Sequence, residues 1–279
     1  NSGSEAVDAT IKLARRHGVE KMNIKNPHII CLTGNYHGKT LGTVSMSTYE
    51  PYRKNFGPFL ENIITVQNNS ISSLRAAFDY YGEQISGIIY EPIQGEGGII
   101  PMTKEFMSVL QTMRRKYPRL LLISDEIQSG LGRSGNWTAG ETLFSELSNY
   151  IQPDVLVLGK SLTGGMSPMS CILANSNIMD VFNPGSHGST YGGNPLAAAV
   201  SKTAMDVLET QCLSKVRVNQ NLFKSELELL KNAIEADNVE EIKTLIQDNL
   251  KSGFECINQI PLPKFMLLGN HELMNVDGD

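Results

Sequence analysis

The chain has no run of about 18 apolar residues, the least that would cross a bilayer as a helix. It has no basic excess either: 24 Lys and Arg stand against 29 Asp and Glu, for a formal net charge of −5. Neither a nucleic-acid footprint nor a basic membrane-binding face is expected from that balance. The cysteines Cys31, Cys171, Cys212 and Cys256 have no metal-ligand spacing. Two of them sit in apolar, strand-like runs, which reads as buried free thiols in a reducing compartment, with no metal site. Repeats and low-complexity segments are missing, and no arginine follows Arg217. What remains is an ordinary globular composition, and 279 residues suffice for one or two domains with a sizeable core.

The most telling stretch that is present is Val155-Leu156-Val157-Leu158-Gly159-Lys160. Four apolar residues predict a buried strand. A lysine follows at once, with small residues behind it. That places a primary amine at a strand end, where a carbonyl cofactor could form a Schiff base. On its own the motif more often marks an ordinary surface lysine after a strand. A second apolar run, Leu120-Leu121-Leu122-Ile123, leads into Ser124-Asp125-Glu126. A carboxylate at Asp125 can keep a pyridine nitrogen protonated, so that the ring acts as an electron sink. The plainer reading is an Asp that caps a turn.

Three further segments point the same way. Gly3 and Ser4 open a helical pattern with Val7, Ile11 and Ala14 on one face. Backbone N–H groups at such a helix start favour a phosphate, although Ser2 or Ser4 could simply be the N-cap. Gly18 is the expected stop of this helix. Tyr36 follows the strand Ile29-Ile30-Cys31-Leu32 and could stack on a flat ring. The stretch from His187 to Pro195 is too rich in glycine for helix or strand, so it reads as a loop that approaches something closely.

Six motifs, NSGSEA at 1–6, YHGKT at 36–40, EPIQGEGG at 91–98, SDEIQSGLGRSG at 124–135, LGKSLTGG at 158–165 and HGSTYGGNPLA at 187–197, occur in one order. Together they resemble the class III pyridoxal-phosphate aminotransferases of fold type I, and within them the ornithine branch. The resemblance covers roughly residues 1–215. It implies an α/β fold with a mostly parallel central sheet flanked by helices, and a partial or divergent C-terminal small domain. The domains would be a large cofactor-binding domain over 1–200 and a linking helix with small domain over 201–279.

By the same resemblance Lys160 is the Schiff-base lysine and proton carrier, and Asp125 the partner of the pyridine nitrogen. Gln128 bonds the ring oxygen, Gly3 and Ser4 hold the phosphate, and Tyr36 stacks on the ring. Thr190 reaches the phosphate of a partner subunit, which implies a homodimer. Lys39 and Glu96 face the substrate, and Glu91 supports the ring side. The implied reaction moves the δ-amino group of L-ornithine to 2-oxoglutarate. Alternatives are another ω-aminotransferase, of the acetylornithine or 4-aminobutyrate type, or a catalytically impaired fragment that binds pyridoxal phosphate or dimerises. A cytoplasmic or mitochondrial matrix location is implied, with targeting unreadable because Asn1 is not an initiator Met.

The chain departs from the family pattern in three places. Lys39 stands where the family has arginine, which keeps the charge but loses the two-pronged geometry. Residues 218–279 do not resemble the family's small-domain sheet, whose arginine would pair with Glu96. A long N-terminal segment of the family has no counterpart ahead of Asn1, so the chain is expected to be incomplete.

Strands are expected at 28–32, 62–66, 87–91, 120–124, 154–158 and 170–174, alternating with helices as in a parallel sheet. Phe106, Val109, Leu110 and Met113 mark one helical face. A helix after Pro195 should turn Leu196, Val200, Ala204, Val207 and Leu208 inward. Residues 213–251 read as helical, with Val216, Leu222, Phe223, Leu227, Leu230 and Ile234 as apolar positions. The tail from 252 has no period and should be poorly ordered. His37, next to Tyr36, has a supporting or packing reading as good as a catalytic one. Trp137 reads as packing, and Arg114-Arg115-Lys116 as a solvated helix end.

Overall fold

Apolar residues that alternate along each strand build two layers of core around one sheet. In the computed structural model the chain is described over residues 1–148, 150–236, 238, 239, 241, 244 and 245. The strands are β1 (His28–Leu32), β2 (Ile63–Val66), β3 (Ile85–Tyr90), β4 (Ile93–Gln94), β5 (Ile100–Pro101), β6 (Leu121–Asp125), β7 (Val155–Leu158) and β8 (Cys171–Ala174). The helices are α1 (Gly3–Met22), α2 (Leu41–Val44), α3 (Glu50–Arg53), α4 (Ile71–Tyr81), α5 (Lys104–Lys116), α6 (Ala139–Phe144), α7 (Ser176–Met179), α8 (Pro195–Val207) and α9 (Leu213–Glu235).

The main sheet has the order β2-β1-β3-β6-β7-β8. Neighbours pair in parallel except β8, which runs antiparallel to β7. The six expected strands are all there, displaced by two residues at most. Ile29 and Cys31 of β1 face α1 and its buried Val7, Ile11 and Ala14. Ile30 and Leu32, the alternate positions, face Leu74 and Phe78 of α4 and Phe106 and Leu110 of α5. Truncating a ring as enclosed as Phe106 would cost roughly 3–5 kcal/mol.

Two local devices fix the strands that matter most. Ser2 caps α1 in a reciprocal box with Glu5, leaving the Ser4 side chain out of the cap. Arg114 grips Asp154 with two hydrogen bonds of 2.9 Å, and Asp154 also accepts from Leu122 N at 2.9 Å. That clamp aligns β7 with β6, so Arg114 does more than solvate its helix end.

Two expectations are corrected. Helix α1 does not stop at Gly18 but runs to Met22, with Asn23 as its left-handed C-cap. Gly18 is instead an interior contact, where a Cβ would stand 2.7 Å from Pro27 and 2.8 Å from Ser86. Leu208 packs against Leu131, Leu158 and Leu162 as expected, but helix α8 buries Ala197 and Ser201 while Leu196 and Val207 are exposed. Over Leu213–Glu235 the stretch expected to be helical forms α9, on which Ala233 is buried and Leu222, Phe223, Leu227 and Ile234 are exposed. Trp137 packs with Leu131, Leu158 and Leu162, as its packing reading holds. The tail from 252 lies outside the described residues.

The chain divides into two compact units, Asn1–Leu213 and Ser214–Asp279. Among the described residues no helix is long and apolar enough to cross a membrane.

Candidate active site

In an open parallel sheet the carboxyl ends of the strands gather ligands. Here the ends of β1, β3, β6 and β7 and the start of α1 line one pocket, with Tyr36, Glu91, Asp125, Lys160 and Gly3 as their contributions. Ser4, His37, Gly38, Ile127 and Gln128 complete its wall.

Asp125 ends β6 and is only 3% exposed. Its Oδ2 lies 2.7 Å from His37 Nδ1, and its Oδ1 accepts from Ile127 N at 3.1 Å. Burial opposes a charge on His37, but the hydrogen bond and charge of Asp125, with the charge of Glu91, outweigh it and raise the imidazole pKa. His37 Nε2 is buried with no hydrogen-bond partner. The pair therefore holds a proton against one buried carboxylate.

Glu91 follows β3 and accepts a hydrogen bond from Tyr36 N at 3.0 Å. Burial pushes its pKa up from 4.5 to about 7; the nearby His37 pulls it down and Asp125 pushes it up. Because the folded pKa is the raised one, the folded state binds the extra proton. Its contribution is complete below about 4.5 and is lost as pH rises to about 7, on the order of 3 kcal/mol. His37, also raised, acts in the same direction. Glu91→Gln should flatten the fall of stability over that window and stabilise the protein at pH 8. Urea unfolding from pH 4.5 to 8 measures it; an unchanged slope in the variant would place the titration elsewhere.

Lys160 follows β7 and opens a 3₁₀ turn, Lys160–Thr163, with φ at 42°. Left-handed backbone at a residue with a Cβ costs about 1–3 kcal/mol and persists where the surroundings impose it. Glycine serves at two walls of the pocket. Gly38 has φ at 121°, and a Cβ there would collide with Ser4 Oγ; a Cβ on Gly3 would come within 2.9 Å of Ile127 Cδ1. The start of the 20-residue α1, at Gly3 and Ser4, thus presents backbone N–H groups to the pocket.

Of the sequence-predicted residues, Gly3, Ser4, Tyr36, Glu91, Asp125, Gln128 and Lys160 are brought together. Three are not. Lys39 is exposed with its Nζ 4.5 Å from the centre of the Tyr52 ring, although its backbone N donates to Ser4 Oγ at 3.3 Å. Glu96 is exposed between β4 and β5, so the buried carboxylate of this region is Glu91. Thr190 is exposed in the loop before α8 and does not line the pocket of its own chain.

Sequence reading undervalued the His37–Asp125 pair and left out Ile127 and Glu126. Glu126 is 1% exposed and accepts from Ala139 N and Gly140 N at 3.0 and 2.9 Å, which pins the turn that carries Gln128 to the start of α6. Its signal was the second carboxylate beside Asp125, directly after an apolar strand.

Known proteins with this architecture are numerous. The chain is 46% identical over 216 residues to ornithine aminotransferase 1 of Staphylococcus saprophyticus, covering 76% of this chain and 52% of that protein. It is 42% identical over 233 residues to ornithine aminotransferase 1 of Staphylococcus aureus, covering 82% and 57%. The ornithine aminotransferase of Toxoplasma gondii superposes with a TM-score of 0.76 at 32% identity, over 86% of this chain and 55% of that one. The acetylornithine aminotransferase of Elizabethkingia anophelis superposes with a TM-score of 0.67 at 35% identity, over 83% and 53%. The chain spans about half the length of the relatives it matches. The aminotransferase class-III family model matches residues 1–255, and the chain belongs to that family.

Proposed function

We propose that the chain carries the pyridoxal 5'-phosphate site of an aminotransferase that moves the δ-amino group of L-ornithine to 2-oxoglutarate, giving glutamate 5-semialdehyde and glutamate. One observation carries the reading: Asp125 and Lys160, at the ends of adjacent strands, line the same pocket as Gly3 and Ser4 at the start of α1. The pocket suits the cofactor. Gly3 and Gly38 leave room where a Cβ would clash, and the start of α1 favours a phosphate.

When bound, the cofactor supplies an electron-withdrawing ring that stores the electron pair released from a substrate C–H bond. The chain's own residues do the rest. Asp125, braced by His37, keeps a proton on the ring nitrogen. Lys160 Nζ anchors the cofactor, then removes and returns the proton on the substrate carbon. Tyr36 and Gln128, both lining the pocket, would hold the ring, Tyr36 by stacking and Gln128 by a hydrogen bond to its oxygen. Glu91 holds the Tyr36 backbone in place and supports the ring side of the site. Lys39 attracts the substrate carboxylate as a point charge rather than a fork, and Glu96 meets the amino donor from the exposed side. Thr190, outside its own chain's pocket, completes the phosphate site of a second copy in a homodimer.

The choice of donor rests on the relatives named for ornithine. The Elizabethkingia anophelis neighbour supports a second reading, transfer from N-acetylornithine. Single-turnover half-reactions with L-ornithine, N-acetylornithine and 4-aminobutyrate at equal concentration separate the two. Ornithine should react at least about tenfold faster than either rival. A faster reaction with N-acetylornithine would move the donor assignment and leave the cofactor site intact.

A further inference from the structure

Away from the pocket just described, α1 presents a second cleft, of about 440 Å³, within the range of small-molecule sites. Lys12, Arg15, Arg16 and Lys25 line it, together with Phe182 and Ser186, and no carboxylate does. Four cations converge in a chain whose net charge is −5.

Their hydrogen bonds are only partly used. Arg16 pairs with Glu20 at 2.6 Å. Lys12 Nζ donates to Ser186 O at 3.0 Å and stands 3.1 Å from His187 Nδ1, so an ammonium with three donors keeps one in reserve. Among the described residues, Lys12, Arg15 and Lys25 have no carboxylate within ion-pair distance. Ser186 Oγ is buried with no hydrogen-bond partner, an unusual state for a buried hydroxyl. Lys12, Arg15 and Lys25, gathered with no carboxylate partner of their own, repel one another, and an anion in the cleft relieves that repulsion.

We propose that this cleft is a second binding site, separate from the cofactor pocket, for a small molecule that carries a phosphate or diphosphate group. Arg15 and Arg16 suit the two-pronged recognition of phosphate oxygens, and Lys12 and Lys25 add point charges. Lys12 also tethers the backbone at Ser186, just ahead of the loop that carries Thr190, so a ligand here would sit beside that loop.

Calorimetric titration with inorganic pyrophosphate, in saturating pyridoxal phosphate at low ionic strength, tests the site. The wild-type chain should bind one equivalent. The double variant Arg15→Gln/Lys25→Gln should bind at least about tenfold more weakly. The charge-keeping pair Arg15→Lys/Lys25→Arg should retain binding within a few-fold, and Arg75→Gln, on the unrelated helix α4, should leave it unchanged. Circular dichroism checks that each variant folds. No binding by the wild type, equal binding by the Gln double variant, or binding seen only when pyridoxal phosphate is withheld would overturn the proposal. The last result would assign the anion to the start of α1 in the cofactor pocket instead.

Discussion

Lys160→Ala is expected to lower the ornithine half-reaction by about 10²–10⁴-fold, the range for a lost general acid–base group. The amine is the pocket's proton carrier in the proposed reaction, and water in its place has neither its basicity nor its fixed position. Lys160 also owes its direction to an unusual backbone. With φ at 42° it leaves β7 in a left-handed turn that alanine can adopt only at similar cost. The fold should therefore be nearly unchanged, and stability within about 1 kcal/mol of wild type. Stopped-flow absorbance reads the rate, and thermal unfolding reads the stability. A variant rate within a few-fold of wild type would remove Lys160 from the chemistry.

Asp125→Asn is the second large effect. The amide keeps the size of the carboxylate but gives up its charge. His37, whose ring is buried and whose Nδ1 lies 2.7 Å from Asp125, then faces a neutral partner. Breaking a buried charged pair costs roughly 3–5 kcal/mol, part in stability and part in charge held on the ring nitrogen. The half-reaction should fall by about 10²-fold or more. The His37 pKa, raised in the wild type against its own burial, should drop, which proton NMR of the imidazole reports. Near-normal turnover with a lowered His37 pKa would separate the pair from the electron-sink role.

Much of this was legible because sheet strands write themselves as apolar runs. β1, β6 and β7 are nearly continuous Ile, Leu and Val, as buried parallel strands must be. Asp125, the last residue of β6, and Lys160, two residues past β7, were visible for the same reason, since an apolar run locates the polar group at its end. The antiparallel direction of β8 was not legible. Cys171–Ala174 is apolar in either direction, and only its pairing with β7 decides.

Two positions of α8, Leu196 and Val207, were misplaced because bulk was taken for burial. Ala197 and Ser201 are buried, and the helix packs against the 3₁₀ turn that starts at Lys160. Small side chains allow that approach, and Leu196 is turned out to 70% exposure. Gly18 was misread in the same manner. A glycine near a helix end signals a stop, but here Pro27 and Ser86 press on the spot where a Cβ would be. The pairing of His37 with Asp125 joins residues 88 apart in the chain. No local pattern encodes that distance; the order of β1, β3 and β6 in the sheet does.

Covalent trapping tests the central claim most directly. Wild-type chain incubated with pyridoxal phosphate, reduced with borohydride and digested should carry the label on one peptide, the one containing Lys160. Lys12, Lys39 and the other lysines should stay unlabelled at one equivalent of cofactor. A label on any lysine other than Lys160, or spread evenly over the exposed lysines, would contradict the assignment of this pocket as the cofactor site.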